Sequence, residues 1–144
     1  MTQDFKADLQ FGEKYEKIFC SYLNTIGLKA EIVNQKGYDI LTESGDTYEV
    51  KSDRYTKNNG NVAFEIVSNK KINTLGWVYY SDAKFLAYFI SETEFFVAPM
   101  IKIKDFVNTA GGLFEEKHSI ESNSISLIVP VKRLPSWFKK WSIE

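Results

Sequence analysis

Gly37-Tyr38-Asp39-Ile40-Leu41-Thr42-Glu43-Ser44-Gly45-Asp46-Thr47-Tyr48-Glu49-Val50-Lys51 is the stretch on which the reading of this chain turns. Two short β-type runs, 38–42 and 47–52, flank a polar turn that contains Gly45, the pattern of a hairpin. A turn centred on Ser44 pairs the arms symmetrically: Thr42 with Asp46, Leu41 with Thr47, Ile40 with Tyr48, and Asp39 with Glu49. Side chains alternate across a strand. Asp39, Glu49 and Lys51 therefore share one face, while Tyr38, Ile40, Tyr48 and Val50 take the other, which reads as core. Directly opposed residues have Cβ atoms about 4.5–5.5 Å apart, where like charges repel. Lys51, two residues along the same face, relieves part of that repulsion. A hard divalent cation relieves more, since Mg²⁺ is usually held by one or two carboxylates with waters and phosphate oxygens. The Val50 carbonyl, between Glu49 and Lys51, is a further candidate oxygen ligand. An ordinary solvated hairpin face is the alternative for the same residues.

Upstream, Tyr15, Ile18, Phe19, Tyr22, Leu23 and Ile26 recur at three- and four-residue steps, which predicts an amphipathic helix over 8–26, ended by Gly27. A strand is expected over 28–33, and another over 61–67 after the hairpin, the whole reading as a meander. Residues 84–90 and 95–98 are almost continuously apolar and read as inner strands covered on both faces. Ile103, Phe106, Val107 and Ala110 predict a second helix before Gly111-Gly112, and 125–131 another strand. A short terminal helix carrying Trp137, Phe138 and Trp141 is expected after Pro135. This order argues for a mixed α/β layer structure in one domain spanning 1–144.

Composition removes several classes. A chain that is 44% hydrophobic and 15% aromatic can bury a real core. One cysteine, Cys20, and one histidine, His118, rule out an internal disulfide and a His/Cys zinc cluster. There is no long apolar run and no basic start followed by an apolar stretch, so a soluble, intracellular protein is expected. The formal net charge of −1 supplies no global field toward nucleic acid. Any such binding is local, with Arg54 and Lys57, in the polar loop after Lys51, as candidate phosphate contacts. Glu65 is a candidate for a second metal or a substrate-positioning group, with a cross-strand pair to a lysine as the alternative. Trp77, Tyr79 and Tyr80 suit either base stacking or core packing.

Asp39 followed by Glu49-Val50-Lys51 resembles the Asp…(Asp/Glu)-x-Lys signature of the PD-(D/E)XK nuclease superfamily, with a helix and a strand preceding it in the same order. The proline that usually precedes the Asp is Tyr38 here. Gly12-Glu13-Lys14-Tyr15-Glu16-Lys17 is similar to the Gly-x-x-x-Glu start of the first helix in archaeal Holliday-junction resolvases. The stretches 60–66 and 76–83 look like small phage-encoded or mobile-element members. The resemblance implies a restriction-endonuclease-like core, a central mixed sheet flanked by helices. It also implies Mg²⁺- or Mn²⁺-dependent hydrolysis of DNA phosphodiester bonds, with Asp39 and Glu49 on the metal, Lys51 assisting attack, and Glu16 lent by the helix. Helical geometry favours Glu16 over Glu13, which points further toward solvent. A homodimer joins DNA as an expected partner, because concerted cutting of two strands commonly uses two sites about a twofold axis. The competing readings are a nuclease-fold module that binds nucleic acid or protein without cutting, an RNA-cleaving enzyme, and an unrelated α/β protein with an accidental Glu-x-Lys.

Overall fold

The computed structural model of the chain describes residues 3–35, 37–53 and 60–143, with side chains from Gln10 onward. Helix α1 spans Gln3–Thr25, starting earlier than expected because the apolar stripe that signalled it begins only at Tyr15. It stops where Gly27 takes φ +90° and Leu28 N–H donates back to the Leu23 carbonyl at 2.9 Å, a left-handed turn that glycine adopts without strain. Tyr15, Phe19 and Leu23, spaced four apart, are the buried stripe.

Three antiparallel strands follow: β1 (Ala30–Gln35), β2 (Tyr38–Thr42) and β3 (Thr47–Ser52). The β2–β3 register is Ile40 opposite Tyr48 and Leu41 opposite Thr47, the pairing expected from a turn at Ser44. The meander ends there. Strand β4 (Asn61–Asn69), expected as its next member, instead pairs with β5 (Thr74–Leu75) and β9 (Ile125–Pro130) in a separate sheet of order β5-β4-β9-β8, where β8 is Glu115–His118. Alternation along β4 announces a strand with one buried face, Val62 and Phe64, but names no partner, and the partner lies far along the chain.

After a short helix α2 (Trp77–Tyr80), strand β6 (Phe85–Phe89) runs parallel to β3, and β7 (Glu94–Pro99) turns back antiparallel. Parallel strands need a crossover, and here β4, β5 and α2 provide it. The first sheet is mixed and six-stranded, in the order β1-β2-β3-β6-β7-β10. Its last member, β10 (Lys139–Ser142), falls where a terminal helix was expected. Trp137 and Phe138 stack at 4.9 Å and pack into the core instead of winding on, and β7 offers the following residues a ladder partner. The three aromatics matched helical spacing, yet pairing at an open sheet edge satisfies the backbone equally well.

The six-stranded sheet is covered on both faces. On one face Ile40, Tyr48, Val50, Ala87, Phe89 and Phe95 meet the stripe of α1. On the other, Leu86, Tyr88, Phe96 and Ala98 meet Val62, Phe64, Leu127 and Val129 of the second sheet, closed off by Met100, Ile103 and Val107 of α3 (Met100–Ala110). Strands β6 and β7 are thus interior, as expected, but a sheet takes the place of one helical layer. The protein is a mixed α/β structure, and no helix among the described residues is long and apolar enough to cross a membrane.

Helix α2 is set hard against β4. A Cβ at Gly76 would lie 2.3 Å from the Glu65 carbonyl oxygen and 2.8 Å from the Ile66 carbonyl carbon, both backbone atoms that cannot swing aside. Gly76→Ala is expected to destabilise the protein by about 1–3 kcal/mol, the usual range for overpacking. Urea unfolding measures this; an unchanged midpoint would show that α2 does not dock this closely.

Candidate active site

The hairpin directs its two faces as the alternation requires. Ile40, Tyr48 and Val50 enter the α1 core, while Glu49 and Lys51, paired with Leu86 and Tyr88 on β6, point toward the second sheet. One residue beyond the last β2–β3 pair, Asp39 reaches across, and its Oδ2 accepts the Val50 N–H at 2.9 Å. The carboxylate thereby replaces a backbone carbonyl as that amide's partner. The N–H and C=O of one strand residue project to the same side, so the Val50 carbonyl also faces the Asp39 side.

Glu16, Asp39, Glu49, Val50 and Lys51 line one cleft of about 490 Å³, together with Asp53 and Tyr80. Glu16 from α1 and the four hairpin residues thus border the same cleft. Glu13, expected in solvent, is exposed. Arg54 and Lys57 lie outside the described residues. Glu65 faces a neighbouring cleft of about 770 Å³ that shares Lys51, Ser52 and Asp53 with the first. Its cross-strand neighbour is Ser126, not a lysine.

Each acid has a neutral polar partner. The Asn34 amide, with its nitrogen turned to the helix, donates to Glu16 Oε2 at 3.1 Å and Oε1 at 3.3 Å. Asn34 sits at φ +45° where the β1–β2 register slips, a conformation asparagine tolerates better than most residues. Ser81 is wholly buried; its hydroxyl donates to the Gly37 carbonyl at 2.9 Å and lies 3.5 Å from Glu49 Oε2. The base of the hairpin and the end of α2 are pinned together there, with Asp82 N–H also donating to the Gly37 carbonyl. Lys51 Nζ lies 3.3 Å from Glu49 Oε1.

Neither a protein-family model nor a curated protein matches the chain. The site therefore stands on its own geometry.

That geometry is electrostatically crowded. Glu49, 2% exposed, is pushed up to about 7, first by burial and then by Asp39, against the pull of Lys51 and Ser81. Glu16 also rises to about 7, through burial and then the charges of Asp39 and Glu13. Burial raises Asp39, opposed by the Val50 N–H and Lys51. Desolvation pulls the Lys51 ammonium down, but Glu49, Tyr80 and Asp39 outweigh it and the net shift is upward. Burial also raises Glu65, opposed by Lys51 and the Trp77 N–H. Among the described residues the Lys51 ammonium acts on Glu16, Asp39, Glu49 and Glu65 alike.

This donor set suits a hard divalent cation. Among the described residues no three acidic, histidine or cysteine side chains already form a complete cage. The residues that could hold such an ion in an open site are Asp39, Glu49 and the Val50 carbonyl, with water or phosphate oxygens to complete it.

Sequence reasoning missed Asn34 and Ser81. Asn34 carried a weak signal, since 34–37 reads as Asn-Gln-Lys-Gly, a turn. Ser81 carried none, because its role depends on β6 lying beside β3.

The raised carboxyls set a direction for stability. A folded-state pKa above the unfolded value favours folding fully below the unfolded pKa, and that contribution is lost as pH rises through the folded pKa. The metal-free protein is therefore expected to lose thermal stability between about pH 4.5 and somewhat above 7, with Glu49→Gln flattening the decline. Melting curves in a chelator measure it; a profile that climbs across this window in wild type would contradict the crowding.

Proposed function

We propose that the protein is a divalent-metal-dependent DNA endonuclease with a restriction-endonuclease-like core. The observation that carries this reading is the convergence of Glu16, Asp39, Glu49, Val50 and Lys51 on one cleft, in the chain order of the PD-(D/E)XK signature.

Hydrolysis of a phosphodiester needs charge stabilisation on the phosphoryl oxygens, an activated water, and exclusion of competing geometry. When bound, Mg²⁺ or Mn²⁺ supplies the Lewis acidity. The chain's own groups do the rest. Asp39 and Glu49, on neighbouring strands and each steadied by a fixed donor, would hold the cation. Lys51, on the same face as Glu49, carries its ammonium into the cleft, where it stabilises negative charge developing on the phosphoryl group. Glu16 enters from α1 and, with a pKa of about 7, is placed to take a proton from water at neutral pH. Ionising Glu49 would favour cation binding and ionising Glu16 would ready it as the base, so metal affinity and activity are both expected to rise with pH through about 7.

Purified protein is expected to cut DNA only with Mg²⁺ or Mn²⁺. Lys51→Ala should lower the rate about 100-fold or more, the scale for losing a charge-stabilising donor, without altering the fold seen by circular dichroism. Asp39→Asn should abolish Mn²⁺ binding in calorimetry. Cleavage in chelator, or Mn²⁺ binding unchanged by Asp39→Asn, would remove the nuclease reading and leave a binding module.

A further inference from the structure

Tyr80 is an aromatic residue that the fold does not use. It is the last residue of α2 and 41% exposed. It belongs to neither hydrophobic cluster, and its side chain makes no ring contact and no hydrogen bond among the described residues, while its backbone N–H donates to the Gly76 carbonyl at 3.0 Å. Its neighbours behave differently. Trp77 is buried against Phe64, and Tyr79 packs against the core with its hydroxyl donating to Asn108 Oδ1 at 2.8 Å. Of the three aromatics at this turn, only Tyr80 lines the cleft with Asp39, Glu49 and Lys51. The turn that carries it is held firmly: Gly76 abuts the β4 backbone, Gly76 N–H donates to the Ile66 carbonyl, and Ser81 follows in full burial. An exposed ring on a rigid mount beside a cluster of carboxylates gains nothing in folding.

We propose that Tyr80 is a substrate-contacting residue that stacks on the nucleobase next to the scissile phosphate, and that the site consequently takes DNA strands with an unpaired, accessible base rather than intact duplex. The proposal rests on the nuclease reading for the word scissile, but its binding claim is separable.

Two independent features favour a single strand. In duplex DNA both faces of every base are already stacked, so a protein ring reaches one only after unstacking it, at a cost that vanishes when the strand is single. Base–aromatic stacking is the sequence-tolerant interaction by which single strands are held. Charge points the same way. Duplex binding draws most of its affinity from neutralising many phosphates with lysine and arginine, whereas this chain carries a net charge of −1. The described lining of the adjoining cleft holds Asp53, Glu65, Glu115 and Glu116 against Lys51 and Lys117. A surface so composed grips one or two phosphates locally and draws the remaining affinity from a ring.

The test uses the full chain carrying Lys51→Ala, with Ca²⁺ as a non-cutting cation, and oligonucleotides bearing one 2-aminopurine, offered single-stranded and as duplex. The expected result is tighter binding of the single strand, with quenching of the 2-aminopurine. Adding Tyr80→Ala should weaken single-strand binding about tenfold or more and remove the quenching, while Tyr80→Phe, which keeps the ring, recovers most of both. The affinity should fall with salt no more steeply than two neutralised phosphates allow, a log–log slope of about −1.4 for single strands. Equal or tighter duplex binding, an unchanged affinity in Tyr80→Ala, or a Tyr80→Phe variant as weak as the alanine one would overturn the stacking assignment. Absence of binding by a wild-type protein that does cut would overturn it as well. Ring-dependent single-strand binding by a wild-type protein that never cuts would leave the stacking site standing and remove the nuclease.

Discussion

Glu49 is a carboxylate placed almost wholly out of solvent, on an inner strand, beside a second carboxylate that its own hairpin brings across from β2. An ionised acid in that position is costly unless it is paired or bound to a metal, and much of the surrounding arrangement answers that cost. Lys51 extends along the same face to Glu49 Oε1, and Ser81 approaches Oε2. Asp39 is turned onto the Val50 amide. Among the described residues one ammonium and a few neutral donors face these acids, and Glu16 and Glu49 are both pushed up to about 7.

The two-sheet architecture makes this imbalance sustainable. The helix-facing core under β2 and β3 anchors the hairpin through Ile40, Tyr48 and Val50, so the acid-bearing face cannot rotate away from its position. The second sheet supplies a wall of the adjoining cleft and a mount for α2. Tyr88 ties the two sheets at the mouth: its hydroxyl donates to Asp53 Oδ2 at 2.9 Å and accepts the Ala63 N–H at 3.1 Å. Asp39, Glu49 and Lys51 thus sit on paired strands, and Ser81 beside Glu49 is itself wholly buried.

Much of the site was readable from the sequence. The hairpin register followed from Gly45 and the alternation of apolar residues on either side, since a slip of one residue would have sent Ile40 and Tyr48 into solvent. Glu16 came from the resemblance of Gly12–Lys17 to a resolvase helix start, and its place at the edge of the α1 stripe preferred it to Glu13. Two elements were read less well. Strand β4 left the meander for a second sheet, and the C-terminal aromatics that fit helical spacing ended in a turn and an edge strand. Both were matters of partner choice, on which local spacing is silent. Tyr80 shows the same limit. Three aromatics at one turn looked equivalent in sequence, and exposure alone separated the one that faces the cleft.

Taken by itself, the sequence determined the first helix, the hairpin with its register, and the face of the hairpin that carries Glu49 and Lys51. Those properties depend on the two-residue and 3.6-residue periods, which are local and written directly in the order of residues. Tertiary structure decided that β3 runs beside β6, that a second sheet closes the far face, and that Asn34, Ser81 and Tyr80 meet the acids. Such meetings join residues distant along the chain, and they are selected by the burial of whole faces at once, a quantity that no short stretch of sequence contains.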